Sequence, residues 1–163
     1  MQDGNSTQPA AVTSIDFYFN AEDRLQVACR LAGKALSQRK RMLVYAPDAE
    51  VAGRLDRMLW ISPAIGFVPH CAAHDPLAPD TPVLIGAGDF PDALPAGCDV
   101  ILNLADDCPP HFERFDRLLE IVGLADEERD AGRNRYRFYQ QRGYKIASHD
   151  LAKPAERAGG PNE

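Results

Sequence analysis

No stretch of this chain is both long and apolar enough to cross a membrane, which takes about 18 consecutive apolar residues. Its opening residues, Met1-Gln2-Asp3-Gly4-Asn5-Ser6-Thr7, lack the basic and apolar regions of a signal peptide. It has no phosphate loop of the Gly-x-x-x-x-Gly-Lys-Ser/Thr kind and no Gly-x-Ser-x-Gly elbow for a nucleophilic serine. It has no basic excess either. Eighteen Lys and Arg against 24 Asp and Glu leave a formal charge of −6, which opposes general affinity for nucleic acid. Tryptophan occurs once, and the four cysteines, Cys29, Cys71, Cys98 and Cys108, are widely spaced. Three of these lie in or beside apolar runs, as small core residues or inert thiols of a reducing compartment do. Together these absences predict a cytoplasmic protein with no membrane contact.

What is present is ordinary for a globular domain: 163 residues, 45% of them hydrophobic and 26% charged. That length suits one domain with tails. Polar residues rich in Gly, Asn, Ser, Gln and Pro at 1–13, and again at 154–163, predict flexible ends around a domain at 14–153.

Ile15, Phe17 and Phe19 alternate with Asp16 and Tyr18, the period of a strand. Asn20 is placed to cap a following helix, with Glu22 and Asp23 in its first turn. Leu25, Ala28, Cys29, Ala32, Ala35 and Leu36 then recur at helical spacing. Residues 42–46, 83–87 and 100–104 are short apolar runs that read as buried strands. Asp48 can cap a helix running to Trp60, with Val51, Leu55, Met58 and Leu59 on its apolar face. The stretch between Trp60 and Pro82, rich in Pro and Ala, reads as mostly loop. Residues 111–122 fit a short helix passing into a strand. A helix over 126–142 is stopped by Gly143, and 144–148 reads as a last strand. The alternation of strands and helices predicts an α/β fold in three layers around a mostly parallel sheet.

Folds of this kind often hold nucleotides, but the loops here do not suit one. Gly86-Ala87-Gly88 follows a strand, yet Asp89-Phe90-Pro91 comes next and the third glycine of the dinucleotide fingerprint is missing. The loop Asn20-Ala21-Glu22-Asp23 is acidic and would repel phosphate. His70, Cys71 and His74 match no common zinc spacing, and His70 reads as a satisfied loop histidine. Asp99, Asp106 and Asp107 flank a strand, where carboxylates are usually solvated or cap helices. A small hydrolase or nuclease using Asp99, Asp106 or His70 is the competing enzymatic reading. No catalytic residue, metal ligand or cofactor is expected.

Two surfaces stand out instead. The helix over 126–142 carries Arg129, Arg133, Arg135, Arg137 and Arg142. Arg129, Arg133, Tyr136 and Arg137 fall at i, i+4, i+7 and i+8, along one stripe. A basic and aromatic stripe on an acidic chain suits a specific anionic partner, such as a peptide with acidic residues and a free C-terminus. Read unaided, it more often means a solvated basic face with its tyrosines in the core, and a third reading is direct contact with nucleic acid. The second surface is the run Arg54-Leu55-Asp56-Arg57-Met58-Leu59-Trp60 with Phe67-Val68-Pro69-His70 after it. Trp60 and Phe67 read either as a core pair or as anchors of a docking surface.

In this order and at these spacings the two runs resemble the chi family, accessory subunits of the bacterial DNA polymerase III clamp loader. The resemblance extends from about Ser14 to Ile146. It rests on Arg54-Leu55-Asp56, Leu59-Trp60, Pro63, Phe67-Val68-Pro69-His70, Val100-Ile101-Leu102-Asn103-Leu104 and the run from Arg133 to Gly143. It implies a Rossmann-like fold without a nucleotide site, and a noncatalytic subunit acting as a single copy in a heteromeric complex. Such a subunit links the clamp loader, through psi, to the acidic C-terminal tail of single-stranded DNA-binding protein, and meets DNA only indirectly. The family residues that hold the tail match Val122, Arg129, Arg133 and Tyr136. One family member carries Lys where Arg129 stands, so the charge is kept and its geometry changes. The aromatics that contact psi match Trp60 and Phe67.

Overall fold

The alternation at the start of the chain becomes the first strand, and each short apolar run adds another. The computed structural model describes residues 12–61, 68–86 and 98–152. Their elements are β1 (Ser14–Ala21), α1 (Arg24–Ser37), β2 (Arg41–Tyr45), α2 (Ala49–Ile61), β3 (His70–Ala72), β4 (Val83–Gly86), β5 (Cys98–Asn103), β6 (Arg117–Gly123), α3 (Asp126–Gln141) and β7 (Ile146–Asp150). The strands form one sheet in the order β3-β4-β2-β5-β6-β1-β7, and every pairing is parallel. This is the expected three-layer α/β fold.

Strand periodicity sorts the core into two halves. Met42 and Val44 of β2, Val100 and Leu102 of β5, and Leu119 and Ile121 of β6 pack with the apolar faces of α1 and α2. Ile15 and Phe17 of β1, Leu43, Ile101, Leu118 and Val122 point the other way and pack with Tyr139 of α3. The connection from β1 through α1 to β2 passes over two strands in one direction. The connection from β6 through α3 to β7 runs in the opposite direction. The helices that follow the neighbouring strands β1 and β6 therefore leave on opposite faces, which opens a crevice at the strands' carboxyl ends.

Several local expectations change. Asn20 does not cap α1. It sits at φ 65°, and Asp23 is the cap, accepting from the backbone N–H groups of Leu25 and Gln26 at 3.1 and 3.3 Å. Sequence reading favoured the first cap-forming residue, but β1 runs on to Ala21 and moves the cap three residues along. The segment before Pro82, expected to be mostly loop, also holds the short edge strand β3 and a 3-10 turn at Ala78–Asp80. The ambiguous stretch over 111–122 is one 3-10 turn, Phe112–Arg114, and then β6. Gly143 stands at φ 85°, the left-handed position after a helix end that glycine adopts without a Cβ penalty. Ala87 lies outside the described residues, as do 1–11 and 153–163. Thr13 is buried, and its hydroxyl donates to the Phe115 carbonyl at 2.6 Å.

Candidate functional site

α3 lies over the sheet where β1 and β6 end, and a cleft of about 430 Å³ opens beside it. Its lining is mostly apolar: Phe17 and Phe19 of β1, Val122 and Gly123 of β6, and Gly132 and Tyr136 of α3. Asn20, Ser148, Arg129 and Arg133 supply the polar atoms. The four residues matched to tail binding, Val122, Arg129, Arg133 and Tyr136, thus share one cleft. Arg137, on the same stripe by spacing, does not line it. Phe17 and Phe19 were read from sequence only as strand residues, and Gly132 and Ser148 were not singled out at all. A glycine in mid-helix was the available signal for Gly132.

The geometry gives each wall a reason. The Tyr136 ring meets Phe17 edge-on, with centroids 5.2 Å apart. Gly132 lets α3 come close to the sheet, since a Cβ there would fall 2.7 Å from Val122 Cγ2. The Arg129 guanidinium donates to Asn20 Oδ1 at 3.5 Å, while Asn20 Nδ2 donates to Asp150 at 2.8 Å. Among the described residues Arg133 bonds its neighbour Asp130 alone, at 2.9 Å, and the two side chains are 67% and 70% exposed. A pair that exposed is held weakly, so a better anion can take Asp130's place.

Beneath the cleft, sequence reading missed a buried polar network. Glu120 of β6 is fully buried. Its carboxylate accepts from Arg135 Nε at 2.8 Å, from the Tyr139 hydroxyl at 2.6 Å and from Asn103 Nδ2 at 3.1 Å. Arg135 also donates to the Asp106 carbonyl at 2.8 Å. Burial pushes the Glu120 carboxyl up, against the pull of the Arg135, Tyr139 and Asn103 donors. Burial likewise pushes the Tyr139 phenol up, keeping it a donor. Arg135, counted from sequence among the basic surface residues, is therefore a core residue. The available signal was Glu120 itself, a lone carboxylate in the run Leu118-Leu119-Glu120-Ile121-Val122.

The crevice between the carboxyl ends of β1 and β6 is lined by side chains that pair with one another. Arg24 donates to the Leu104 carbonyl at 3.0 Å and lies 3.9 Å from Glu128. A Cβ on Gly123 would coincide with the Glu128 carboxylate. Glu22, Asp23 and Glu128 line this space together with Arg24 and Arg54, so its carboxylates outnumber its arginines.

The residues of the enzymatic reading do not converge. Asp99 lies near the start of β5, where it accepts from the Arg41 backbone N–H at 3.0 Å, whereas Asp106 follows the strand's other end. His70 is three strands from Asp99 across the sheet, about 14 Å at the usual strand spacing. Burial pushes the Cys29 thiol up to about 11, and Cys98 and Cys108 upward too, which keeps these thiols from acting as nucleophiles. No helix among the described residues is long and apolar enough to cross a membrane.

At the far edge of the sheet, Trp60 lies in the last turn of α2 with 58% of its surface exposed, next to Ile61 at 75%. A core position for Trp60 is thereby excluded. Phe67 lies outside the described residues. His70 is not a loop residue but opens β3, with its imidazole buried against Trp60. The pattern reading overlooked so short an edge strand because three residues show no periodicity.

Residues 12–147 match the family described as DNA polymerase III chi subunit, HolC. The chain is 33% identical over 144 residues to the DNA polymerase III subunit chi of Pseudomonas aeruginosa, covering 86% of this chain and 98% of that one. To the subunit chi of Escherichia coli it is 28% identical over 122 residues, covering 74% and 81%. The subunit chi of Haemophilus influenzae is 22% identical over 129 residues, covering 77% and 86%. A match spanning nearly the whole sheet and all three helices shows that the chain belongs to the DNA polymerase III chi subunit family.

Proposed function

We propose that this chain is a noncatalytic, cytoplasmic subunit that bridges the polymerase III clamp loader to the C-terminal tail of single-stranded DNA-binding protein. The observation that carries this reading is the α3 cleft. It joins an apolar floor to two arginines on a chain whose net charge is −6. An aromatic side chain fits against Phe17, Val122 and Tyr136. A terminal carboxylate fits the planar fork of Arg133, and acidic residues fit Arg129. Trp60, with Phe67, is the clamp-loader side of the bridge, reached through psi or an equivalent subunit. The functional domain spans 14–153, with Thr13 packed against it at its start.

A labelled peptide of the tail, titrated against the protein, tests the first half. Binding should be saturable and should weaken strongly when the peptide's C-terminus is amidated, because the charged fork loses its partner. Equal affinity of the acid and amide forms would remove the carboxylate from the reading. The basic stripe also allows direct contact with nucleic acid. Binding of bare single-stranded DNA with a steep salt dependence, at an affinity matching the tail's, would favour that alternative.

A further inference from the structure

We propose that the outer face of α1 and the turn after it contact the phosphate backbone of single-stranded DNA. This face lies across the sheet from the α3 cleft. From Arg24 to Arg41 every charged residue is basic, on a chain whose net charge is −6. Two of the six are used internally. Arg24 pairs with Glu128, and the Arg41 guanidinium donates to the Ala78 and Thr81 carbonyls. The other four, Arg30, Lys34, Arg39 and Lys40, are exposed and form no ion pair among the described residues. Arg30 and Lys34 stand one turn apart on α1, and Lys34, Gln38 and Lys40 line one small hollow at its end. Asp99 and Asp116 line that hollow too, and Asp99 accepts from the Arg41 backbone N–H.

Arg39 is the informative member. It stands at φ 59°, in the left-handed position just past the helix end. Its N–H donates to the Leu36 carbonyl at 2.9 Å and the Lys40 N–H to the Ala35 carbonyl at 2.8 Å, the paired bonds that close a helix around such a residue. Glycine is the usual occupant, because a Cβ is strained there. α3 ends with the same two bonds and has Gly143 in the position. α1 has arginine instead, so a cation stands here against the backbone's preference. The helix dipole favours cations in the last turn, but Arg30 lies before it. Unpaired cations with no aromatic side chain among them suit phosphates rather than bases. The acidic remainder of the chain keeps the contact weak in free solution. Held beside the strand by the tail of single-stranded DNA-binding protein, the face meets it at high effective concentration. The choice of a single strand rests on that reading of the α3 cleft.

The test titrates the whole protein into labelled oligo-dT, reading anisotropy from about 50 to 200 mM salt. Four phosphate contacts predict a slope of log K against log salt of about −3, a fall in affinity of about 50-fold across that range. Affinity should lie well below that for the tail peptide. Arg30→Glu combined with Lys34→Glu should abolish the binding. Arg133→Glu combined with Arg137→Glu changes the net charge equally, on α3, and should weaken it far less. Arg39→Gly should reduce the slope to about −2, one contact fewer, yet melt at or above wild type because glycine suits the turn. No binding by wild type at the lowest salt, equal losses from the two double reversals, or a wild-type slope in Arg39→Gly would overturn the proposal. Tighter binding of duplex DNA or of poly-glutamate than of oligo-dT would also overturn it, by giving the face another partner. Tail-peptide affinity, measured in the same proteins, should not move with the α1 changes. A wild type that binds oligo-dT but not the peptide would overturn the tail reading alone.

Discussion

Gly132 of α3 faces Val122 of β6 so closely that a Cβ on the glycine would fall 2.7 Å from Val122 Cγ2. The helix therefore seats at the depth that lets Tyr136 reach Phe17 and sets the width of the cleft. In an exposed helix, Gly→Ala gains about 0.8–1 kcal/mol of propensity. Here the methyl group must displace Val122 or lift α3, which costs about 1–3 kcal/mol. Gly132→Ala should therefore be destabilised on balance and should bind the tail peptide more weakly. Adding Val122→Ala makes room for the methyl group. In denaturant titrations the double variant should be more stable than the sum of the two single changes predicts. Simple additivity would mean that the helix does not depend on this contact.

Arg133→Ala should weaken tail binding by about 1.5–3 kcal/mol, the range for a hydrogen bond to a charged group. The lower end is expected, because the guanidinium is 67% exposed. Asp130→Ala frees Arg133 from its present partner and should leave affinity unchanged or raise it. Both variants should melt with wild type, since an exposed pair contributes little. Calorimetric titration with the tail peptide measures both, and equal affinities for wild type and Arg133→Ala would take Arg133 out of the site.

The sheet and α3 were legible because their signals are periodic: alternation at Ile15, Phe17 and Phe19, and i, i+4, i+7 spacing at Arg129, Arg133 and Tyr136. That stripe leaves Arg135 out, but nothing in it shows that Arg135 is buried, because its partner Glu120 lies on another element 15 residues away. Periodicity cannot report a pairing between distant residues, and an arginine buried by its partner looks like any other arginine. The Asn20 cap failed for a related reason. Propensity allows Asn and Asp equally at a helix start, and the length of β1, set by its pairing with β6 and β7, made the choice.

Glu120 should be intolerant of change. Glu120→Leu leaves Arg135 and Tyr139 buried without their acceptor, and removing one partner of a buried ion pair costs about 3–5 kcal/mol. Replacing Glu120 and Arg135 together with leucine and methionine should recover much of that loss, because no charge then remains buried. Denaturant titrations of the single and double variants check this. A double variant no more stable than Glu120→Leu would show that the network's value lies in its remaining bonds, to Asn103 and Tyr139.

Asp16 should make part of the fold acid-sensitive. Burial alone would raise its pKa, but hydrogen bonds from His149 and Arg117 outweigh it and hold the carboxyl below its ordinary 3.8. Below 3.8 and above the native value, the unfolded chain takes up a proton that the folded chain refuses. Unfolding is then favoured by acid. Asp16 contributes its full stabilisation above 3.8 and loses it as the pH falls through the lowered native value. Asp16→Asn removes that contribution. The variant should be less stable at neutral pH, with a shallower loss on acidification than wild type. Arg117 is 42% exposed, so solvent screening keeps the difference modest. Unfolding free energies measured from about pH 2 to pH 7 give both slopes. Parallel slopes would mean that other carboxylates carry the acid sensitivity and that Asp16 is held by packing rather than by its charge.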